Sequence, residues 1–162
     1  MRNVFYSFHY KPDSHRAAKV RNIGTITGNK PASDNDWEEI KKGGDVAIRT
    51  WINGQLTGRT CAVVLVGAQT AGRKWINYEI KKAWDDGKGV LGIYVHNLTD
   101  LWGATTDMGA NPFDKFTVGT QGLASIVKCY NPPYTTSSYV YNHIADNVAD
   151  WIEKAIEIRK QY

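Results

Sequence analysis

The chain of 162 residues is 42% apolar, carries a formal net charge of +4 and holds two cysteines, Cys61 and Cys129. This composition excludes a disordered chain and suits one domain, residues 1–162, with a sizeable core. No run of five basic residues marks a nucleic-acid footprint, no Cys/His cluster marks a zinc site, and no signal peptide or apolar stretch of about 18 residues marks export or a membrane span, so a cytoplasmic protein is expected.

Residues Val4 to Phe8 read as a short strand, followed by the turn-prone Lys11-Pro12-Asp13 and a helix from Ser14 to Ile23 with Ser14 as its cap. Gly24 to Asp36 reads as a loop, and Trp37 to Lys42 as a short helix ended by Gly43-Gly44. Asp45 to Leu56 fits a helix or a strand equally well. Thr60 to Val66 is continuously apolar and β-branched, as a central strand covered on both faces must be. A helix from Arg73 to Asp86 follows, with Ile76, Ile80, Ala83 and Trp84 facing the sheet. Val90 to Val95 is the next strand, His96 to Thr120 a long functional or inserted loop, and Ile126 to Tyr130 a further strand. The chain closes on a helix from Val140 to Lys160 that buries Ile144, Val148, Trp151, Ile152 and Ala155. Strands alternating with helical crossovers predict an α/β sandwich with a mainly parallel sheet. Ligands in such sheets bind beyond the carboxyl ends of the strands, where strand order reverses, which directs attention to the residues after Phe8, Val66 and Val95.

Several familiar motifs fail. Gly87-Lys88-Gly89-Val90-Leu91-Gly92 spells GxGxxG but closes a helix and opens a strand, the reverse of a dinucleotide fingerprint; it reads as a helix cap and a turn. There is no GxxxxGK[ST] and no GxSxG. The central strand ends in Val66-Gly67-Ala68-Gln69-Thr70 without the carboxylate of a response regulator. The first strand ends in Ser7-Phe8-His9-Tyr10-Lys11-Pro12 without a flavodoxin phosphate loop.

What remains is a pair on one helix. Trp75 and Glu79 stand four residues apart, on a stripe beside the core-facing Ile76, Ile80 and Ala83. Glu79 is thus expected at the edge between core and solvent, where a carboxylate can project into a cleft with Trp75 screening one side. The simpler alternative is an exposed ion pair of Glu79 with Lys82 or Lys74.

VFYSFHY at the start of the chain resembles the first strand of TIR domains. CAVVLVGAQTAGRKWINYEIKKAW is similar to their central strand, the following loop and the Trp-x-x-x-Glu helix, and VLGIYVHNL to the next strand. The similarity is closest to the bacterial and archaeal TIR-like group that includes the TIR proteins of Thoeris anti-phage systems, and is tightest over residues 3–22 and 60–98. It implies a flavodoxin-like, three-layer fold with a mainly parallel five-stranded sheet, and it aligns Glu79 with the glutamate of NAD-cleaving TIR domains. It implies NAD as substrate, with no cofactor and no metal, and an ADP-ribose-derived nucleotide signal, hydrolysed, cyclised or conjugated, that diffuses to a separate effector. Two other readings keep the same fold: a non-catalytic TIR module acting by self-association into a homo-oligomer, and a sensor that binds NAD without cleaving it.

The chemistry of such a bond agrees with a lone carboxylate. Breaking the nicotinamide–ribose bond builds positive charge on the sugar, as in glycoside hydrolysis, while nicotinamide departs neutral and needs no acid. Family analogy puts Ser7, Phe8 and His9 beside the nicotinamide ribose, with Phe8 either stacking on a ring or joining the core. Gln69 and Thr70 stand where TIR domains often carry serines and are the expected ribose and phosphate contacts. Trp75 is expected to shape the cleft wall, and His96 and Asn97 end a strand at the same rim. Trp37 is placed either over the adenine or against the core.

Overall fold

The long apolar runs become central strands because strands buried on both faces need no polar side. In the computed structural model, which describes residues 2–24, 26–28 and 39–162, the strands are β1 (Asn3–Ser7), β2 (Thr27–Gly28), β3 (Cys61–Val66), β4 (Gly89–Tyr94), β5 (Thr117–Val118), β6 (Gln121–Gly122) and β7 (Cys129–Tyr130). The helices are α1 (Tyr10–Arg21), α2 (Gly44–Leu56), α3 (Lys74–Asp85) and α4 (Ser137–Arg159). Five strands form one sheet in the order β2-β1-β3-β4-β7 with every pairing parallel, and β5 and β6 form a separate antiparallel hairpin.

Strand alternation sorts the core into two layers. Val4, Tyr6, Cys61, Val63, Leu65, Leu91 and Ile93 face α1 and α4. Phe5, Ala62, Val64, Val66, Val90 and Tyr94 face α2 and α3. The result is the flavodoxin-like, three-layer α/β sandwich expected of the sequence. Strand order reverses between β1 and β3, so the carboxyl ends of these two strands, at Ser7 and Val66, flank the topological switch point.

The structure corrects several element limits. Helix α1 begins at Tyr10 rather than Ser14, with His9 at its cap position and Asp13 N donating to His9 O at 3.1 Å. Pro12 is tolerated because amides of the first helical turn have no intrahelical acceptor. Residues 45–56 resolve as helix, burying Ile48, Ile52 and Leu56. The strand expected from Ile126 shrinks to Cys129–Tyr130, because the Ile126 and Val127 amides both turn back to Leu123 O, at 3.0 and 2.9 Å. Trp37 lies outside the described residues; the short helix expected there is helical over its described part, 39–42.

Gly87 does cap α3: it adopts a φ of 79°, and Lys88 N reaches Ala83 O at 3.0 Å. Gly89 serves packing, since a Cβ there would stand 2.8 Å from Ile156 N, on α4. Among the described residues no helix is long and apolar enough to cross a membrane.

Candidate active site

Ser7 is the last residue of β1, and its position in the alternation turns it toward the α2–α3 layer. Glu79 sits in the second turn of α3, between Ile76 and Ile80, which anchor that helix in the core. The two side chains meet: Ser7 Oγ donates a hydrogen bond to Glu79 Oε2, with Ser7 1% and Glu79 9% exposed. Burial pushes the Glu79 carboxyl up to about 8, and the Ser7 hydrogen bond pulls in the other direction. The exposed ion pairs weighed for Glu79 do not form. Lys74 pairs with Asp45 at 2.5 Å and Lys82 with Asp86 at 2.9 Å.

Trp75, one turn before Glu79, is half-buried. Its ring lies edge-on to Tyr78 at 5.8 Å, with Lys74 Nζ 4.9 Å from its centroid. Tyr78 in turn donates to Asn53 Oδ1 at 2.7 Å, which ties α3 to α2 beside the carboxylate.

Phe8 and His9 leave the strand in different directions. Phe8 is partly buried against the core layer of α1 and α4, on the opposite side of the sheet from Glu79. His9 remains at the rim, where burial first and the charge of Arg73 second hold its imidazole below the ordinary range. Its Nδ1 has no partner among the described residues. Arg73 is the exposed residue at the cap position of α3, its Nε donating to Gln69 O at 3.0 Å, and it puts a cation beside His9.

The loop after β3 divides the roles expected of Gln69 and Thr70. Gln69 is exposed at the rim. Thr70 is fully buried: its hydroxyl accepts from Gly67 N at 2.8 Å and donates to Leu65 O at 3.5 Å. These two bonds close the loop after β3 on itself.

Asn97 is not brought to Glu79. It follows β4, two places from β1 in the sheet, and its amide donates to Tyr134 O at 3.1 Å. With Pro132, Tyr134 and Tyr139 it lines a separate open hollow of about 480 Å³. His96 is buried beside Tyr94 at 6.0 Å, with Nδ1 unpartnered among the described residues. Among those residues no group of three His, Cys, Asp or Glu side chains is placed to hold a metal.

A buried carboxylate on a Trp-x-x-x-Glu helix, hydrogen-bonded to a serine at the switch point of a parallel sheet, can be compared with known proteins. Over 118 residues, 70% of this chain and 62% of the relative, the sequence is 36% identical to a Bacillus cereus (strain MSX-D12) protein named "Putative cyclic ADP-D-ribose synthase ThsB1". The chain thus spans about 62% of that relative's length. Residues 5–100, which run from within β1 through β4 and hold both Ser7 and Glu79, match the family described as Thoeris protein ThsB, TIR-like domain, and the chain belongs to that family.

Proposed function

We propose that this protein cleaves the nicotinamide–ribose bond of NAD and converts the ADP-ribose portion into a nucleotide signal for anti-phage defence, with Glu79 as the catalytic carboxylate. One observation carries this reading: Glu79 is buried and hydrogen-bonded to Ser7 at the carboxyl rim of β1, where the sheet's strand order reverses. The name of the Bacillus cereus relative, a cyclic ADP-D-ribose synthase, supports the same substrate and favours cyclisation. A module working only by self-association has no use for an acid kept out of water at this cost.

The chemistry follows from charge. When the C1′–N bond of NAD breaks, its electron pair goes to the ring nitrogen, nicotinamide leaves neutral, and the ribose becomes a cation. A carboxylate in a low-dielectric site stabilises that cation far more than one in water. Burial also raises the proton affinity of Glu79, so in the resting protein near neutral pH the group is largely protonated. The positive nicotinamide ring of bound NAD favours its ionised form and supplies the charge when it is needed. The ribose cation is then captured by water, or by a nucleophilic atom of the same ADP-ribose moiety, which loses its proton as the new bond to C1′ forms. Arg73 and His9, at the same rim, suit the pyrophosphate, and Gln69 and Trp75 complete the walls.

The test is product analysis by liquid chromatography and mass spectrometry, on purified protein with NAD and on extracts of phage-challenged cells. The expected result is nicotinamide together with an ADP-ribose derivative, one water lighter than ADP-ribose if cyclised. Intact NAD in both settings would overturn the reading.

A further inference from the structure

A nearly inaccessible carboxylate is costly unless its oxygens are matched. Asp13, in the first turn of α1, is 1% exposed; its Oδ1 accepts from Arg16 Nη1 at 3.0 Å, while Oδ2 has no partner among the described residues. Arg16, 3% exposed, gives the rest of its guanidinium to main-chain carbonyls and to Asp100, whose Oδ2 lies 3.9 Å from Nη2. Nε donates to Leu98 O at 2.8 Å, Nη1 to Pro12 O at 3.1 Å and Nη2 to Ala104 O at 3.0 Å. The segment it grips is itself a closed turn, because Asp100 Oδ1 accepts from Trp102 N and Ala104 N at 2.8 and 2.9 Å.

The face of Asp13 lies against Gly67, the first residue beyond β3: a Cβ on Gly67 would stand 2.1 Å from Oδ2. Gly109 also lies against this glycine, for a Cβ there would stand 2.1 Å from Gly67 O. The β1–α1 turn, the β3–α3 loop and the segment after β4 thus meet in one stack at the switch point. A buried ion pair contributes little net stability compared with apolar residues of the same volume. What this one supplies is a fixed relation between three rim segments that share no ladder beyond their strands.

We propose that Asp13 and Arg16 are positioning residues for the candidate active site, clamping segment 96–109 onto the rim of β1 and β3 so that the loop from Gly67 to Thr70, which carries Gln69, keeps its place. The clamp touches no reacting atom, so its loss acts on substrate affinity and leaves the bond-breaking step alone. The functional half of this inference rests on the NAD-cleaving reading; the structural half does not.

Hydrogen exchange and NAD kinetics on three variants test it. Arg16→Met keeps the apolar stem and releases the Leu98 and Ala104 carbonyls. Gly109→Ala pushes the segment off Gly67 from outside and leaves the ion pair whole, so it serves if Arg16→Met fails to fold. Asp13→Asn keeps an acceptor for Arg16. In the first two, exchange across 96–109 should quicken about tenfold while β3 and β4 stay protected, and KM for NAD should rise about tenfold with kcat within about twofold. Asp13→Asn should stay within about twofold of wild type in both readouts. Unchanged exchange across 96–109 in folded Gly109→Ala and Arg16→Met, or a fall in kcat at constant KM, would overturn the clamp. If the wild-type protein releases no nicotinamide, the NAD-cleaving reading falls and the exchange pattern alone decides for or against the clamp.

Discussion

Ser7 and Glu79, 72 residues apart in the chain, are joined by a hydrogen bond from the serine hydroxyl to the glutamate carboxyl at the open end of the sheet. The serine is the last residue of β1 and the glutamate lies in the second turn of α3, so the bond fixes a carboxylate of the helix against the strand that borders the switch point. Burial is the larger influence on how readily Glu79 gives up its proton, and this one polar contact opposes it.

The pH dependence of activity follows. With the carboxyl of the free protein near 8, kcat/KM for nicotinamide release should climb with pH and level off above that value. The limb in kcat should lie lower, because the cationic ring of bound NAD favours the carboxylate. Ser7→Ala removes the hydrogen bond that favours the ionised form, so the kcat/KM limb should move to higher pH and activity at pH 7 should drop about three- to tenfold. A limb that stays in place in Ser7→Ala would contradict the role given to Ser7.

Stability carries the same signature with the opposite benefit. A carboxyl whose folded pKa is raised from 4.5 to about 8 binds its proton more tightly in the folded state. Its contribution to stability is complete below the unfolded value and is lost as pH rises through the folded one. Glu79→Gln should therefore be more stable than wild type at pH 8, on the order of 1–3 kcal/mol, with the gap closing toward pH 5. Urea denaturation at the two pH values measures this.

Gly89→Ala tests the rejected glycine motif. The added methyl meets the backbone of α4 at Ile156 N, which cannot yield by a rotamer change. A loss of about 1–3 kcal/mol is expected, as for other overpacked cores. Binding of NAD to the folded variant should be unchanged, whereas a phosphate-cradling glycine would show a large loss of affinity.

Thr70 and Gln69 are neighbours with opposite expected responses. Thr70→Val leaves Gly67 N unpaired in a buried loop and should cost about 1–3 kcal/mol. Gln69→Ala, at an exposed position, should leave stability within about 0.5 kcal/mol and show its effect, if it contacts substrate, in KM. Thermal unfolding and kinetics on the two variants separate a residue that builds the loop from one that faces the ligand.

Much of this was legible in the residues. Cys61–Val66 and Gly89–Tyr94 are apolar without alternation because both faces are covered, and the spacing of Ile76, Ile80 and Ala83 oriented α3 and so placed Glu79 beside the core. The start of α1 was hidden because Pro12 resembles a turn residue and is also tolerated within a first helical turn. Ile126 and Val127 look like strand because they are buried, yet their amides close a turn instead. The meeting of Ser7 with Glu79 depends on how α3 crosses the sheet, and the grip of Arg16 on Leu98 and Ala104 spans more than 80 residues; no local pattern encodes either. Phe8 could be assigned to core or ligand only once strand alternation had a fixed register, which the pairing of Val4 with Cys61 supplies.

The most direct measurement is the rate of nicotinamide release from NAD by folded Glu79→Gln beside wild type at pH 8. The glutamine fills the same space without the charge that stabilises the ribose cation. A fall of at least about a hundredfold is predicted for loss of that electrostatic contribution. Release at the wild-type rate would contradict the assignment of Glu79 as the group that meets the developing cation.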